Sequence, residues 1–219
     1  PADQLSESIP NFHNTEKRFE AFVEAVNKDI CGRAKDVQPE IEFAMARKEA
    51  ACEIVNMLKE GKIPLRVTHN DTKLNNIMID DATGKAICII DLDTIMPGAA
   101  AYDFGDSIRF GASTGAEDEV DLSKIEMSLE LFEVFASGYL SVAKEFLTDE
   151  ELYSLSIGAK IMTFECGIRF LTDYLSGDTY FKIHRPNHNL DRCRTQFNLV
   201  ADMEKKMDQM HAIVNKYAK

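Results

Sequence analysis

The chain has 219 residues, of which 45% are hydrophobic and 28% are charged, so it can bury one sizeable core. Its net charge of -12 at pH 7 argues against nucleic acid and anionic membranes as partners, because it would repel both. No run approaches the roughly 18 apolar residues of a membrane span, and the first residues, 1–7, lack the pattern of a secretory signal. We therefore expect one domain over residues 1–219 and a cytoplasmic location.

The first third of the chain predicts two amphipathic helices, because its apolar residues recur at helical spacing. The first stripe consists of Phe19, Phe22, Val23, Val26 and Ile30, and the second of Ile41, Met45, Cys52, Val55 and Leu58. The segment from Gly61 to Pro64 is expected to end the second helix.

A β-hairpin is predicted between Asn76 and Asp91, where two apolar, β-branched runs flank a polar turn that ends in Gly84-Lys85. With the turn centred between Thr83 and Gly84, Asn76 and Asp91 face each other at the open end. Opposed residues in such a ladder lie about 4.5 to 5.5 Å apart at the Cα atoms. Both side chains are then close enough to reach one cation.

Helical periodicity returns in the rest of the chain. It predicts a third helix on Leu129, Phe132, Phe135, Tyr139 and Leu140, a fourth from the capping box Thr148–Glu151 toward Tyr174, and a long last helix from Asn189. The segment 111–118 reads as an exposed loop, and the acidic stretch that continues it as solvated surface. Five cysteines without a C-x-x-C pair indicate buried free thiols. The expected fold class is α+β and mostly α-helical, with the small hairpin carrying a metal site.

Asp71, Asn76 and Asp91 supply the side chains that phosphoryl transfer requires. The reaction needs a carboxylate that orients the attacking hydroxyl and oxygen ligands that hold Mg²⁺. We predict that Asp71 is the catalytic carboxylate and that Asn76 and Asp91 are metal ligands. Asp93 is a further predicted ligand, because residues two apart in an extended chain project from the same face. An acidic hairpin without chemistry is the alternative, and the full combination of residues disfavours it.

The spacing of His69, Asp71, Lys73, Asn76 and Asp91 resembles the catalytic and metal-binding loops of the aminoglycoside and choline kinase superfamily. These relatives of the protein kinases phosphorylate small molecules. The resemblance implies a protein-kinase-like carboxy-terminal lobe that uses ATP and Mg²⁺, with Lys73 as a phosphate contact. It also implies that His69 braces the loop.

Two other positions bear on this resemblance. Asn70 departs from it, since Gly or Arg is frequent there. Asp103-Phe104-Gly105 spells the magnesium motif of the protein kinases, but it lies too far from Asp71 along the chain. The resemblance implies instead that Tyr102 and Asp103 support the catalytic loop from behind.

Residues 68–111 and a second block, 165–181, are similar to the N-acetylhexosamine 1-kinases, which phosphorylate the anomeric hydroxyl of N-acetylglucosamine or N-acetylgalactosamine. Arg169 and Tyr180 match positions expected to contact the sugar. An arginine offers a fixed fork of donors and a tyrosine offers a ring with a hydroxyl, which suits a carbohydrate. Packing and surface pairing are the alternative roles for both residues.

A kinase of this class is expected to begin with a β lobe that carries a Gly-rich phosphate loop and a strand lysine. No such pattern precedes Asp71. We therefore expect the chain to be the carboxy-terminal lobe of a longer enzyme, with a separate amino-terminal nucleotide lobe as its partner. Alone it is expected to bind ATP weakly and to turn over negligibly.

Three alternatives remain open at the level of sequence. One is a kinase of the same superfamily that acts on choline, homoserine or an aminoglycoside. A second is a desulfatase-like hydrolase, which is disfavoured because Cys31 and Cys193 lack the C/S-x-P-x-R context of sulfatases. The third is a lobe that keeps the fold without the chemistry.

Overall fold

A computed structural model describes residues 2–219, and helices dominate this part of the chain. The α-helices are α1 (Thr15–Lys28), α2 (Gln38–Met45), α3 (Lys48–Ala51), α4 (Glu53–Lys59), α5 (Ala100–Gly111), α6 (Leu129–Ala143), α7 (Asp149–Leu175) and α8 (His188–Ala218). The strands are β1 (Arg66–Thr68), β2 (Ile77–Ile79), β3 (Ala86–Ile89) and β4 (Met96–Gly98). Short 3-10 segments lie at Ala2–Gln4, Ala34–Asp36, Leu74–Asn76, Leu92–Thr94 and Leu122–Lys124. The predicted α+β class with a majority of helix is confirmed.

The strands form two separate antiparallel pairs, β1 with β4 and β2 with β3. In the first pair Thr68 lies opposite Met96, which brings the segment after β1 beside the 3-10 turn Leu92–Thr94 that precedes β4. The second pair is the predicted hairpin, and all four residues of β3 are exposed. The predicted catalytic and metal-binding residues, 71–76 and 91–93, lie in the segments that connect these strands.

Helix α7 is the centre of the fold, because α1, α5 and α8 all pack against it. Its residues are buried around most of its circumference, which is the pattern of a core helix rather than a surface helix. Helices α5 and α7 approach closely through glycines: a Cβ on Gly105 would lie 2.4 Å from the carbonyl oxygen of Gly158. Only a residue without a side chain fits at that contact.

The start of α7 is tied to β1. Thr148 and Glu151 form the predicted capping box, with Glu151 N–H donating to the Thr148 hydroxyl at 3.2 Å and Thr148 N–H donating to the Glu151 carboxylate at 2.9 Å. The same carboxylate receives two hydrogen bonds from the guanidinium of Arg66, at 2.8 and 2.6 Å. One buried side chain thus both caps the helix and fixes the strand beside it.

The structure confirms the helices predicted at α6, α7 and α8, and it corrects three other predictions. The segment of the second apolar stripe is not one helix but is divided into three short ones, α2 to α4, because the backbone leaves helical geometry at Arg47 and Cys52. Ile30 follows the end of α1 and is exposed, so it does not belong to the first stripe. All five thiols are free, but Cys31 and Cys88 are exposed rather than buried. Within residues 2–219, no helix combines the length and apolar character needed to cross a membrane.

Candidate active site

The segment predicted to be the catalytic loop, residues 69–72 (hereafter the catalytic loop), follows β1 and is held by side chains. The carboxylate of Asp103 accepts the backbone N–H groups of His69 at 2.8 Å and Asn70 at 2.7 Å. That of Asp106 accepts the N–H of Thr72 at 2.8 Å. Both aspartates lie on α5, so this helix fixes the donor side of the loop.

The carbonyl groups of the same loop accept hydrogen bonds from side chains of other segments. Thr94 donates its hydroxyl to the His69 carbonyl at 2.7 Å, and Ser107 donates to that of Thr72 at 3.3 Å. The carbonyls of residues 70 and 71 are bonded by His13 and Asn76, at 2.9 and 2.8 Å. Since backbone polar groups need partners when they are withdrawn from water, this arrangement specifies one loop conformation.

Asn70 suits its place in this loop. Its φ is 65°, in the left-handed region that asparagine and glycine tolerate best among the common residues. Its buried side chain accepts from the Thr68 hydroxyl at 2.9 Å and donates to the Thr94 carbonyl at 2.9 Å. The departure from the superfamily pattern at this position therefore preserves the turn.

The structure brings Asp71, Lys73 and Asn76 together. One carboxylate oxygen of Asp71, Oδ2, accepts from Lys73 Nζ at 2.7 Å and from Asn76 Nδ2 at 2.9 Å. The same Asn76 nitrogen donates to the Asp71 carbonyl, an obligate acceptor, so the amide orientation is fixed and its Oδ1 faces elsewhere. The amide oxygen of Asn76 takes no part in these hydrogen bonds and can bind a metal ion, as the prediction requires.

The register of the hairpin differs from the predicted one. Ile77 pairs with Ile89, and the N–H of Ile90 donates to the Asn76 carbonyl at 2.9 Å, so Asn76 faces Ile90 rather than Asp91. The turn closes earlier than predicted because the Asp80 carboxylate accepts the N–H groups of residues 82 and 83, and a bulge follows Met78.

The backbone also leaves the strand at Asp91, which has a left-handed φ of 62°, and residues 92–94 form a 3-10 turn. Asp91 and Asp93 therefore do not share one face of an extended chain, contrary to the prediction. Both side chains are exposed beside the end of the hairpin.

The oxygens of Asn76 and Asp91 are hard donors of the kind that Mg²⁺ prefers, and they suit a site that nucleotide phosphates and water would complete. In residues 2–219 no group of three or more His, Cys, Asp or Glu side chains is placed to share one metal ion. A site here would therefore depend on the asparagine amide and on ligands from the nucleotide.

A cavity of about 440 Å³ opens beside Asp71 and Lys73. Arg169 and Tyr180 also line it, so the structure places the predicted sugar contacts in the same cavity as the predicted catalytic residue. The Arg169 guanidinium carbon lies 5.5 to 6.0 Å from the ring centres of Phe12, Tyr180 and Phe181. Aromatic faces around a cation both attract it and keep water away from it.

His13 and Glu165 form a buried pair behind the loop that was not predicted from the sequence. His13 Nε2 lies 2.9 Å from the Asn70 carbonyl oxygen, which can only accept, and Nδ1 lies 2.8 Å from Glu165. The hydroxyl of Thr15 donates to the other oxygen of Glu165 at 2.7 Å. This geometry favours an imidazolium and a carboxylate.

The pKa shifts of the pair agree with that assignment. Burial lowers the pKa of His13, but attraction to Glu165 and the two hydrogen bonds outweigh it, so the pKa lies above its usual value. Burial raises the pKa of Glu165, but the charge and hydrogen bond of His13 outweigh it, so that pKa is lowered. Both shifts favour the charged forms of the two side chains.

The acidic end of the loop after α5 is also tied to the site, so the interpretation of residues 111–118 as an exposed loop is wrong for Glu117 and Asp118, which are half-buried. Arg109 donates to Asp106 at 3.0 and 3.1 Å and to Glu117 at 2.7 Å. Asp118 lies 2.9 Å from His188 Nε2 at the start of α8. Through Asp106 and Arg109, these contacts connect the catalytic loop to the loop of residues 111–118.

The Asp103-Phe104-Gly105 tripeptide is part of α5. The Asp103 carboxylate is occupied by the two loop N–H groups, and burial, partly offset by those bonds, raises its pKa. Phe104 is fully buried against Phe132 of α6, and Gly105 makes the contact with α7. The three residues serve packing and loop support in this structure.

The family model of the APH phosphotransferase enzyme family matches residues 3–136. The matched segment is more than half of the 219 residues and includes Asp71, Lys73, Asn76 and Asp91, whereas Arg169 and Tyr180 lie beyond it. The chain belongs to this phosphotransferase enzyme family.

Proposed function

We propose that the protein transfers the γ-phosphoryl group of ATP, with Mg²⁺, to a hydroxyl of a small molecule bound in the cavity beside Asp71. The observation that carries the proposal is the arrangement of Asp71, Lys73 and Asn76 in a loop whose backbone is fixed by side chains. Family membership supports phosphoryl transfer to small molecules. The proposed acceptor is the anomeric hydroxyl of an N-acetylhexosamine.

In this mechanism Asp71 orients the acceptor hydroxyl and accepts its proton. Lys73 neutralises Asp71 in the structure, and its half-buried side chain can turn to a phosphate oxygen when nucleotide is bound. Asn76 and Asp91, with Asp93 nearby, would hold Mg²⁺. The ion, when bound, would neutralise charge on the phosphates. Holding the reactants in one geometry is the main contribution expected of such a site.

The charge of the cavity wall favours a neutral sugar over a cationic acceptor, because the four carboxylates that line the cavity, Asp71, Asp106, Glu117 and Glu165, are each paired with a basic side chain. Arg169 lines the cavity and has no carboxylate within 4.0 Å in residues 2–219, so its charge would repel choline or an aminoglycoside. A sugar hydroxyl or an acetamide oxygen can accept from its guanidinium. Tyr180, exposed at the rim, offers a ring face to the sugar.

Phosphoryl transfer is tested by following sugar 1-phosphate formation with ³¹P NMR. Measured in the full-length protein, Asp71→Asn is expected to lower turnover at least about a hundredfold, the lower limit for loss of a general base. Asp81→Asn makes the same chemical change at an exposed position of the hairpin turn and should leave turnover unchanged. Near-normal turnover of Asp71→Asn would remove this residue from its proposed role.

Acceptor identity is tested separately by titration calorimetry, which needs no turnover. N-acetylglucosamine and N-acetylgalactosamine are expected to bind, and Arg169→Gln to weaken them. Tighter binding of choline or an aminoglycoside would instead favour that branch of the family. Binding of neither class, together with no transfer, would favour a non-catalytic lobe.

A further inference from the structure

Two arginines of the chain stand apart from the others. Seven of the nine have a carboxylate oxygen within 4.0 Å: Arg33, Arg47, Arg66, Arg109, Arg185, Arg192 and Arg194. Arg18 and Arg169 have none in residues 2–219, and both line the same second cavity, of about 260 Å³. Two unpaired guanidinium groups at one cavity are unexpected in a protein with a net charge of -12.

These two cations have hydrogen-bond donors to spare. Arg18 donates from Nε and Nη2 to the Phe12 carbonyl, at 3.1 and 2.8 Å, which leaves Nη1 free of protein acceptors in the described chain. Arg169 makes no hydrogen bond to any residue of 2–219 and is surrounded by aromatic rings. A guanidinium carries five N–H donors, so at least one full fork is unused.

The acceptors of the cavity wall are already used. Asp173 lines the cavity, but its buried carboxylate accepts the backbone N–H groups of residues 179, 180 and 181 and the Asn189 amide, at 2.8 to 2.9 Å. Ser176 and Thr179 add hydroxyl groups to the wall. The cavity wall therefore carries two positive charges against the single carboxylate of Asp173, and it has an excess of donors.

Electrostatics at the site point the same way. Burial, and next the charge of Arg169, lower the pKa of Arg18, which remains a cation because guanidinium groups keep their proton in proteins. A bound anion would relieve this repulsion. The net negative charge of the protein opposes anion binding at this cavity only weakly, since charges more than about 8 Å apart are largely screened at physiological salt.

We propose that this second cavity binds the anionic group of a small molecule, a phosphate ester or a carboxylate, between Arg18 and Arg169. Paired guanidinium groups match the oxygens of such groups in a fork geometry. The cavity shares Arg169, Tyr180 and Phe181 with the cavity beside Asp71. An anion bound there would lie next to the acceptor, on the side of Arg169 that Asp71 does not line.

The experiment is a calorimetric titration of inorganic phosphate, without nucleotide or Mg²⁺ and at constant ionic strength, with a sugar 1-phosphate and acetate in parallel. Saturable binding with one equivalent is expected for phosphate. Arg18→Gln should weaken it at least about tenfold, the factor that one charge-assisted hydrogen bond supplies. Arg194→Gln removes a surface guanidinium paired with Glu40 and is the matched control with unchanged affinity.

Two further variants keep the test decisive. Arg18→Lys retains the charge but loses the fork, so it should bind phosphate with intermediate affinity and show whether any loss in Arg18→Gln reflects misfolding. Asp71→Asn should bind phosphate normally while it loses phosphoryl transfer, so failure of the anion site and failure of the proposed function are distinguishable.

Saturable binding of acetate alone, dependent on Arg18, would identify the carboxylate as the ligand. Absence of saturable binding of all three anions, or binding that depends on Lys73 and not on Arg18, would overturn the proposal.

Discussion

The contact between α5 and α7 makes Gly105→Ala the most informative substitution for stability. A Cβ at this position would lie 2.4 Å from the Gly158 carbonyl oxygen and 2.6 Å from its carbon. Those distances are about 1 Å shorter than an ordinary contact, and both atoms belong to the backbone. No side-chain rotation can relieve the overlap, so the two helices must move apart.

The magnitude follows from two opposing effects. Overpacking costs about 1 to 3 kcal/mol, and a contact with backbone belongs at the upper end of that range. Replacing a helical glycine with alanine returns about 1 kcal/mol. We expect Gly105→Ala to lower the free energy of unfolding by about 2 kcal/mol net, which is about 4 to 8 °C in Tm for a chain of this size.

Urea unfolding and thermal scans measure this effect, with Gly138→Ala as the matched control. Gly138 lies in the middle of α6, and a Cβ there would meet no atom within 4 Å. The control should therefore gain about 0.5 to 1 kcal/mol. If Gly105→Ala is as stable as the unaltered protein, the close contact with Gly158 does not constrain the packing of α5 on α7.

The remaining predictions concern buried charges and caps. Stabilisation by the His13–Glu165 pair should be complete only between about pH 4.5, the usual pKa of a glutamate, and about pH 6.5, the usual pKa of a histidine. The contribution of His13 is lost as the pH rises through its raised pKa in the folded state. The contribution of Glu165 is lost as the pH falls through its lowered pKa in the folded state. Urea unfolding against pH tests this, and a Glu165→Gln variant whose stability deficit is independent of pH would contradict it. Thr148→Ala should cost about 1 kcal/mol and lower Tm by about 2 to 4 °C through loss of the cap on α7. Asp103→Ala leaves two N–H groups of the catalytic loop without partners and should lower the free energy of unfolding, measured in urea, by at least about 2 kcal/mol. Asp81→Ala is the control and should leave that free energy unchanged. Equal effects of the two substitutions would show that the loop does not depend on Asp103.

Much of the local structure could be predicted from the sequence because its signals are local. The hairpin was indicated by two apolar runs around a glycine turn, and α7 by a capping box of four residues. The cluster of Asp71, Lys73 and Asn76 lies within six residues, so its spacing alone brings the side chains together. The predicted hairpin register is wrong by one because the side chain of Asp80 closes the turn earlier and a bulge follows Met78.

The support of the site could not be predicted, because it depends on contacts between distant parts of the chain. His13 lies 152 positions from Glu165 and 57 from Asn70. A single histidine in a polar segment carries no periodicity or motif that indicates a buried ion pair. The acidic loop was misinterpreted for the same reason, since Glu117 and Asp118 are recognised as structural only once Arg109 and the start of α8 are near them.

The hydrogen bonds that hold the catalytic loop determine the order in which activity and helical structure are lost on heating. The bonds to its backbone come from the amino-terminal segment, from α5 and from the stretch after the hairpin, so detachment of any one of them releases part of the loop while most helices persist. On gradual warming, inactivation should therefore precede the loss of helical circular dichroism, and during refolding the recovery of activity should be the final event.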